Sequence, residues 1–386
     1  MTPAARVQTA IELLQEVLGG LPAEKVLTAW ARRSRFAGSK DRAAVRDHVF
    51  DVLRRRRSVL PTGLNENGRA LMLGLLRQDG GDLDALFADL PYGPEAMSEI
   101  ETEALSRPFP NQVDLPEWIV PRLEAALGDA FGAETTAIQH RAPVFLRANL
   151  GKGTRQQAQT ALAAEGVVCE SSPLADTAIV VQNGARRVAQ TKAYREGLVE
   201  VQDASSQAAI AGLPLRDGMR VLDYCAGGGG KVLAMAARMK GQFVAHDANP
   251  QRLRDLPARA KRAGVRVDIL SKEQLRREPG FDLVFCDVPC SGSGTWRRSP
   301  DAKWRFSESD LGALTKVQAD ILERCVSYVK QDGTLIYATC SQLREENEDQ
   351  VARFLRDHGE FECNHMQRWY MQQGCDGFFI AHLTQR

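Results

Sequence analysis

The sequence predicts an α/β chain whose C-terminal half is a doubly wound, mostly parallel, Rossmann-like sheet. Two observations carry that prediction. Apolar, β-rich runs alternate with helical stretches from about residue 198 onward, the pattern of a sheet wound on both faces by helices. The runs are MRVLD (219–223), QFVAHD (242–247), VRVDIL (265–270), FDLVFCD (281–287) and TLIYATC (334–340), and helical stretches begin near Lys231, Pro250, Ser307 and Asn347. In such sheets ligands bind at the carboxyl ends of the strands. Asp223, Asp247, Asp287 and Cys340 all fall at those ends, so four reactive side chains converge on one rim.

Two smaller regions precede the sheet. Residues 1 to about 105 read as helical: Val7, Ile11, Leu14 and Val17 recur at helical spacing and Gly19-Gly20 ends the segment. Asp41 is placed as an N-cap before Val45, Val49 and Val52. RPFPNQVDLPEW (107–118) reads as a linker and 118–138 as helical again. A small α/β unit follows, with a strand at 143–149, a helix at 154–166 and an apolar run, TAIVV, at 177–181. The expected domains are 1–115, 116–197 and 198–386.

Composition excludes several classes. The chain has 386 residues, 44% hydrophobic and 26% charged, normal for a soluble globular protein of two or three domains. No run approaches the ~18 apolar residues of a membrane span, and the first residues lack a signal peptide's order. The eight cysteines show no framework spacing. They read as reduced thiols of a cytoplasmic protein. A net charge of +1 decides nothing, but basic residues cluster at Arg54 to Arg57, from Arg252 to Arg266, and at Arg297, Arg298, Lys303 and Arg305. Each run alone suits a solvated helix face; together they lean toward a nucleic-acid partner.

DYCAGGGGK (223–231) joins a strand to a helix. Glycines there let a ligand approach the backbone closely. The order is neither G-x-G-x-x-G nor a phosphate loop, because Val232 follows Lys231. S-adenosylmethionine needs the same close approach without a pyrophosphate. Asp247, 24 residues after Asp223, is placed to bind ribose hydroxyls. The competing reading is a glycine-rich turn of any α/β protein.

DVPCSGSG (287–294) and YATCS (337–341) make the resemblance specific. They look like the fourth and sixth motifs of the RsmB/NOP2/Sun family of RNA 5-methylcytosine methyltransferases. VQDASSQ (201–207), RRSPDAKW (297–304) and DGFFIAHL (376–383) also resemble family segments, so the likeness runs through 198–386. The first region resembles the NusB-type helical RNA-binding domain of the bacterial branch, and the small α/β unit resembles that family's RNA-binding subdomain. The resemblance implies a class I methyltransferase fold, S-adenosylmethionine as cofactor, and RNA as partner, with small-subunit ribosomal RNA favoured over transfer RNA. The expected protein is a cytoplasmic monomer without metal or membrane association.

The resemblance also assigns roles. Carbon 5 of cytosine is a poor nucleophile until a thiolate adds to carbon 6, and covalent catalysis of that kind splits one hard step into easier ones. Cys340 matches the nucleophile, Cys290 the cysteine that resolves the adduct, and Asp287 the acid that engages the N3 and amine edge of the base. Lys303 and Arg297 are expected to help hold the thiolate. Cofactor binding is assigned to Asp223, Cys225, Ala226, Gly227, Gly228, Gly229, Gly230, Lys231, Asp247, Arg252, Glu273 and Asp287. DNA-type enzymes use the Pro-Cys cysteine as nucleophile, and amine methyltransferases carry an Asn/Asp-Pro-Pro-aromatic motif that Val288 and Cys290 rule out here. Cys286, Cys290 and Cys340 have no CxxC pair or nearby histidine to suggest a metal, and Cys286 and Cys325 read as core residues. Trp304 either stacks on a base or packs.

Two departures from the family stand out. The loop usually carries Ala-Ala-Pro before its last two glycines; here Gly227 and Gly228 replace the second alanine and the proline, which predicts a looser loop. Glu273 stands where a shorter acid usually meets the adenosine. Two rival functions remain at this point: a non-catalytic RNA-binding or assembly factor that keeps the fold, and a methyltransferase of small molecules or proteins.

Overall fold

The computed structural model describes residues 1–385. The chain divides into two compact units: Met1–Arg141 with Trp296–Ser307, and Ala142–Thr295 with Glu308–Arg386.

The first unit is helical. Helices Pro3–Leu18, Ala23–Arg33, Ser39–Arg54 and Gly68–Gln78 build most of its core. Thr2 caps the first, its hydroxyl accepting from Ala5 N at 3.1 Å, and Gly20 at φ 100° turns the chain after it. Asp41 is not the N-cap expected of it. The cap is Gly38, and Asp41 sits at the third helical position, where its carboxylate accepts from Gly38 N at 3.1 Å and pairs with Arg6 and the N-terminus. The 107–116 stretch lies outside regular structure, and helices Val120–Leu127 and Phe131–Ile138 follow.

The segment Trp296–Ser307 is a member of this helical core. Asp301 Oδ2 accepts from Ala23 N at 3.2 Å, Lys303 Nζ donates to Arg54 O at 2.9 Å, and Trp304 Nε1 donates to Leu53 O at 2.7 Å. Trp304 therefore packs. Lys303 is 0% exposed, and burial pulls its ammonium down to about 7. Lys303, expected to help hold the Cys340 thiolate, instead gives its ammonium to the Arg54 carbonyl, and the backbone carbonyl of Arg297 accepts from Arg54 Nε at 2.8 Å. The basic run 54–57 is also consumed within the unit. Arg54 pairs with Asp51, Arg55 with Asp79, Arg56 with Glu66 and Arg57 with Glu117. A four-charge phosphate track is thereby replaced by four ion pairs.

The second unit holds two sheets. The small one contains β1 (Val144–Ala148), β2 (Val168–Ser171), β3 (Ala178–Asn183) and β4 (Val199–Val201), antiparallel in the order β2-β3-β1-β4. Helix Arg155–Ala164 packs on it, started by the Thr154 cap.

The large sheet contains β5 (Arg220–Asp223), β6 (Gln242–Ala245), β7 (Asp268–Ile269), β8 (Phe281–Asp287), β9 (Val329–Thr339), β10 (Phe361–Trp369) and β11 (Phe378–Gln385). Its order is β10-β11-β9-β8-β5-β6-β7. Strands β5 to β9 pair in parallel; β10 and β11 return antiparallel. This is the doubly wound, Rossmann-like sheet expected, extended by an antiparallel edge. The direction of winding reverses between β5 and β8, so the switch point lies at Asp223 and Asp287. FDLVFCD buries Phe281, Leu283, Val284, Phe285 and Cys286 at 0% exposure, as a strand covered on both faces must.

Candidate active site

Strand β5 delivers Asp223 to the rim, and the glycine-rich loop that follows leads into helix Gly230–Ala236. Gly229 adopts φ 81°, and a Cβ there would stand 2.2 Å from Leu256 Cδ1. Only glycine fits both constraints. The loop is braced from three sides. Asp247 Oδ2 accepts from Gly227 N at 2.9 Å, Arg147 donates from β1 to Gly230 O at 2.7 Å, and Arg259 donates to Gly228 O. These contacts offset the freedom expected from the missing proline.

The loop borders an open cavity of about 350 Å³. Asp223, Cys225, Ala226, Gly227, Gly228, Gly230, Lys231, Arg252, Asp287 and Cys340 line it. Gly229 and Asp247 stand behind this lining: Gly229 against Leu256, and Asp247, 5% exposed, between Gly227 N, Asn249 N and Arg252. Glu273 is not brought in. It lies exposed on the short helix Lys272–Leu275 and does not line the cavity.

The electrostatics are those of a shared pair plus an unshared acid. Lys231 Nζ is 2.6 Å from Asp287 Oδ2. Burial pulls the ammonium down, but Asp287, with Asp223 and Cys340, more than offsets this and holds it above the ordinary lysine range. Asp223 is 1% exposed and neither carboxyl oxygen makes a hydrogen bond; the Val232 amide faces it without reaching hydrogen-bond geometry. Burial pushes its carboxyl up to about 7, against the pull of Lys231. An orphaned, deeply buried acid bordering a cavity is a place for a cationic ligand group.

The two cysteines meet across the ends of β8 and β9. Cys290 Sγ and Cys340 Sγ are 3.4 Å apart. The hydrogen bond with Cys340, with burial behind it, pushes the Cys290 thiol well up, and either sulfur can be the donor of that bond. Gly294 N donates to Cys340 O at 3.0 Å, and Gly377 N donates to Gly294 O at 2.9 Å. Cys225 is raised by burial and inert, and Cys286 and Cys325 are core residues whose sulfurs touch at 3.2 Å.

Several lining residues escaped prediction. Gln202, Asp203, Ser205, Ser206, Asp376 and Phe378 belong to segments whose motifs were recognised without roles for their side chains. Arg147 and Arg259 left no signal beyond their charge. Among the described residues no group of three or more His, Cys, Asp or Glu is placed to hold a metal, and no helix is long and apolar enough to cross a membrane.

Comparison with known proteins gives the family of the chain. A model of the family described as 16S rRNA methyltransferase RsmB/F matches residues 210–384, and one for the ferredoxin-like domain of RsmF/B-like methyltransferases matches 115–188. Ribosomal RNA small subunit methyltransferase B of Photorhabdus laumondii is 32% identical over 287 residues, 70% of this chain and 66% of that protein. The protein of the same name from Klebsiella pneumoniae is 32% identical over 332 residues, 82% of this chain and 73% of its own length. The matched stretch therefore spans about two thirds to three quarters of these relatives. Among solved structures, PH0851 superposes with a TM-score of 0.76 at 21% identity over 99% of both chains. NSun6 from Pyrococcus horikoshii, solved with SFG, gives 0.62 at 17% identity over 70% of this chain and 98% of its own. The structures share the fold; the sequence relatives share more, and on their strength the chain belongs to the RsmB/F family of methyltransferases.

Proposed function

We propose that the chain transfers a methyl group from S-adenosylmethionine to carbon 5 of a cytosine in RNA, through a covalent adduct on Cys340. The observation that carries this reading is the 3.4 Å pairing of Cys290 with Cys340 at the cavity that Asp223 and Asp287 border. The family relatives are named for small-subunit ribosomal RNA, which is the substrate proposed.

The residues fit the cofactor. The orphaned Asp223 carboxyl answers a ligand cation, the Gly227–Gly229 turn leaves backbone open to close approach, and Asp247 with Arg252 closes the far side. A related structure was solved with SFG, an analogue of S-adenosylmethionine. When bound, S-adenosylmethionine supplies an electrophilic methyl group.

Cys340, attacking as the thiolate within the field of the Lys231 ammonium, adds to carbon 6 of the base, and carbon 5 becomes nucleophilic. Asp287, oriented by Lys231, meets the N3 and amine edge so that electron density can flow into the ring. After methyl transfer and loss of the carbon 5 proton, Cys340 departs as the carbon 5–carbon 6 double bond reforms. Cys290, holding its proton within reach of the Cys340 sulfur, assists that departure. Residues before 198 bind and position the RNA. Bisulfite sequencing of ribosomal RNA from cells with and without the gene tests the reading: a small-subunit cytosine should lose protection on deletion, and an unchanged map would refute the substrate.

A further inference from the structure

The parallel ladder between β8 and β9 ends at the rim: Asp287 pairs with Ala338, and Val288 N makes a last bond to Ala338 O at 3.0 Å. Cys290 and Cys340 both lie beyond it, on separate loops. Beyond the ladder the two loops are joined by the Gly294 N bond to Cys340 O, by Ser293, whose hydroxyl accepts from Gln342 N at 2.8 Å and lies 3.1 Å from that of Ser341, and by the contacts of one further side chain.

One carboxylate reaches both loops at the residues next to the cysteines. Glu346 is 0% exposed and begins where the chain leaves Cys340 for helix Glu348–Asp357. Its Oε1 accepts from Ser291 N at 2.8 Å and from Gln318 Nε2 at 2.9 Å. Its Oε2 accepts from the hydroxyls of Ser291 and Ser341, both at 2.5 Å. Ser291 follows Cys290 directly and Ser341 follows Cys340. Gln318 Nε2 also donates to Pro289 O at 3.0 Å, so the residue before Cys290 is held from the same side. The backbone of Glu346 is fixed in turn, its carbonyl accepting from Tyr337 OH on β9. Such bonds to a buried charge are among the stronger ones a protein makes.

We propose that Glu346 is a positioning residue that sets the register of Cys290 against Cys340. Buried below both loops, it touches no reacting atom; it acts through the serines beside each cysteine. The inference rests on the covalent reading above, because register between two sulfurs matters only if one sulfur resolves what the other forms.

Geometry separates three variants. Glu346→Gln keeps the reach and Oε1, and the two serine hydroxyls can turn to accept from its amide. Glu346→Asp keeps the charge but is one methylene short and cannot serve both loops. Glu346→Ala removes the contact. The experiment uses the full chain, S-adenosylmethionine and substrate RNA, with single-turnover methyl transfer, calorimetric cofactor affinity, melting temperature, and denaturing gels for covalent protein–RNA adduct. Glu346→Asp and Glu346→Ala should lose about tenfold to a hundredfold in kcat, the scale of an ångström's misplacement. Cofactor affinity and KM for RNA should hold, and adduct should persist as resolution slows. Glu346→Gln should lose less, about threefold. Rates of Glu346→Asp within twofold of the parent would overturn the proposal, as would a fall in rate that cofactor affinity and melting temperature follow in parallel. If Glu346→Ala does not fold, Glu346→Asp decides. A parent enzyme that forms no adduct while Cys340→Ala keeps its activity would fail the covalent reading itself and take this proposal with it; a parent that forms adduct with Glu346→Asp unaffected fails only the proposal.

Discussion

Lys231 Nζ lies 2.6 Å from Asp287 Oδ2, and the same ammonium is held up by the field of Cys340. One lysine, the second residue of the loop's helix, thus serves both the acid proposed to face the base and the sulfur proposed to attack it. Lys303, which sequence order suggested for this role, has its ammonium bound to Arg54 O instead. Lys231 also stands 5.4 Å from the centre of the Phe378 ring, which screens it from water on one side.

Lys231→Met should therefore do more than weaken cofactor binding. Without the ammonium, the attacking sulfur loses its stabilising charge, and a higher pH is needed for the same thiolate fraction. Single-turnover rates measured between pH 6 and 9 should fall at least tenfold at neutral pH and recover partly toward alkaline pH. A uniform loss with an unshifted profile would show that Lys231 only shapes the pocket.

Asp223 supplies a stability test with a defined sign. Its folded carboxyl titrates at about 7, above the ordinary ~3.9. The native state then holds that proton more tightly than the unfolded state. The resulting stabilisation is present below about pH 4 and is lost as pH rises to about 7. Asp223→Asn removes this loss, so the ligand-free variant should keep more of its melting temperature between pH 5 and 8 than the parent does. The same change should weaken S-adenosylmethionine binding at pH 8, where a carboxylate opposite a ligand cation has been removed. Tighter binding by the variant would mean that no ligand cation meets this acid.

How much of this could be read in the residues themselves follows from burial and sequence distance. FDLVFCD was legible because a strand covered on both faces must be apolar throughout. VRVDIL shrank to Asp268–Ile269, since the edge strand β7 leaves Arg266 and Asp268 exposed and its ladder short. Strand β10, FECNHMQRW, escaped because its middle residues are mostly solvated and give little apolar alternation. The rim acids and Cys340 were readable as strand ends, and Cys290 through the motif that follows β8. The pairing of Arg55 with Asp79, Arg56 with Glu66 and Arg57 with Glu117 was not, because the partners sit on other elements of the helical unit. Lys303 misled for the same reason: its neighbours in sequence belong to the motif, but its neighbours in space belong to the helical core. Glu273 stands on the short helix Lys272–Leu275, off the cavity lining, a placement that spacing along the chain does not give.

The glycine loop separates conformational need from chance composition. At Gly229 a side chain meets a positive φ and the buried Leu256 at 2.2 Å. At Gly228 it meets only the guanidinium of Arg259, the movable end of a long side chain, at 2.7 Å. Gly229→Ala should cost roughly 1–3 kcal/mol in chemical denaturation, by overpacking and left-handed strain, and should lower cofactor affinity by an order of magnitude or more. Gly228→Ala should change affinity by no more than a few fold. Equal tolerance at both positions would mean that the loop is not held in this conformation when it works.

The two cysteines should fail in different ways, because they are proposed to act at different steps. Cys340→Ala removes the attacking sulfur, so carbon 5 is never activated and neither methylated RNA nor adduct should form. Cys290→Ala leaves attack and transfer possible but takes away the proton donor 3.4 Å from the Cys340 sulfur. Product release should stall, and a covalent protein–RNA complex should accumulate that survives denaturing electrophoresis. Both residues are half-buried at the rim, so loss of one sulfur should cost less than the ~2–5 kcal/mol of a large core truncation, and melting temperatures should confirm that both variants fold. The double variant discriminates further: with Cys340 gone, loss of Cys290 should add nothing, and no adduct should appear. The reversed pattern, with Cys340→Ala trapping RNA and Cys290→Ala inert, would assign attack to the Pro-Cys cysteine. Full activity in both single variants would end the covalent mechanism altogether, leaving the Lys231–Asp287 pair to be explained by binding alone.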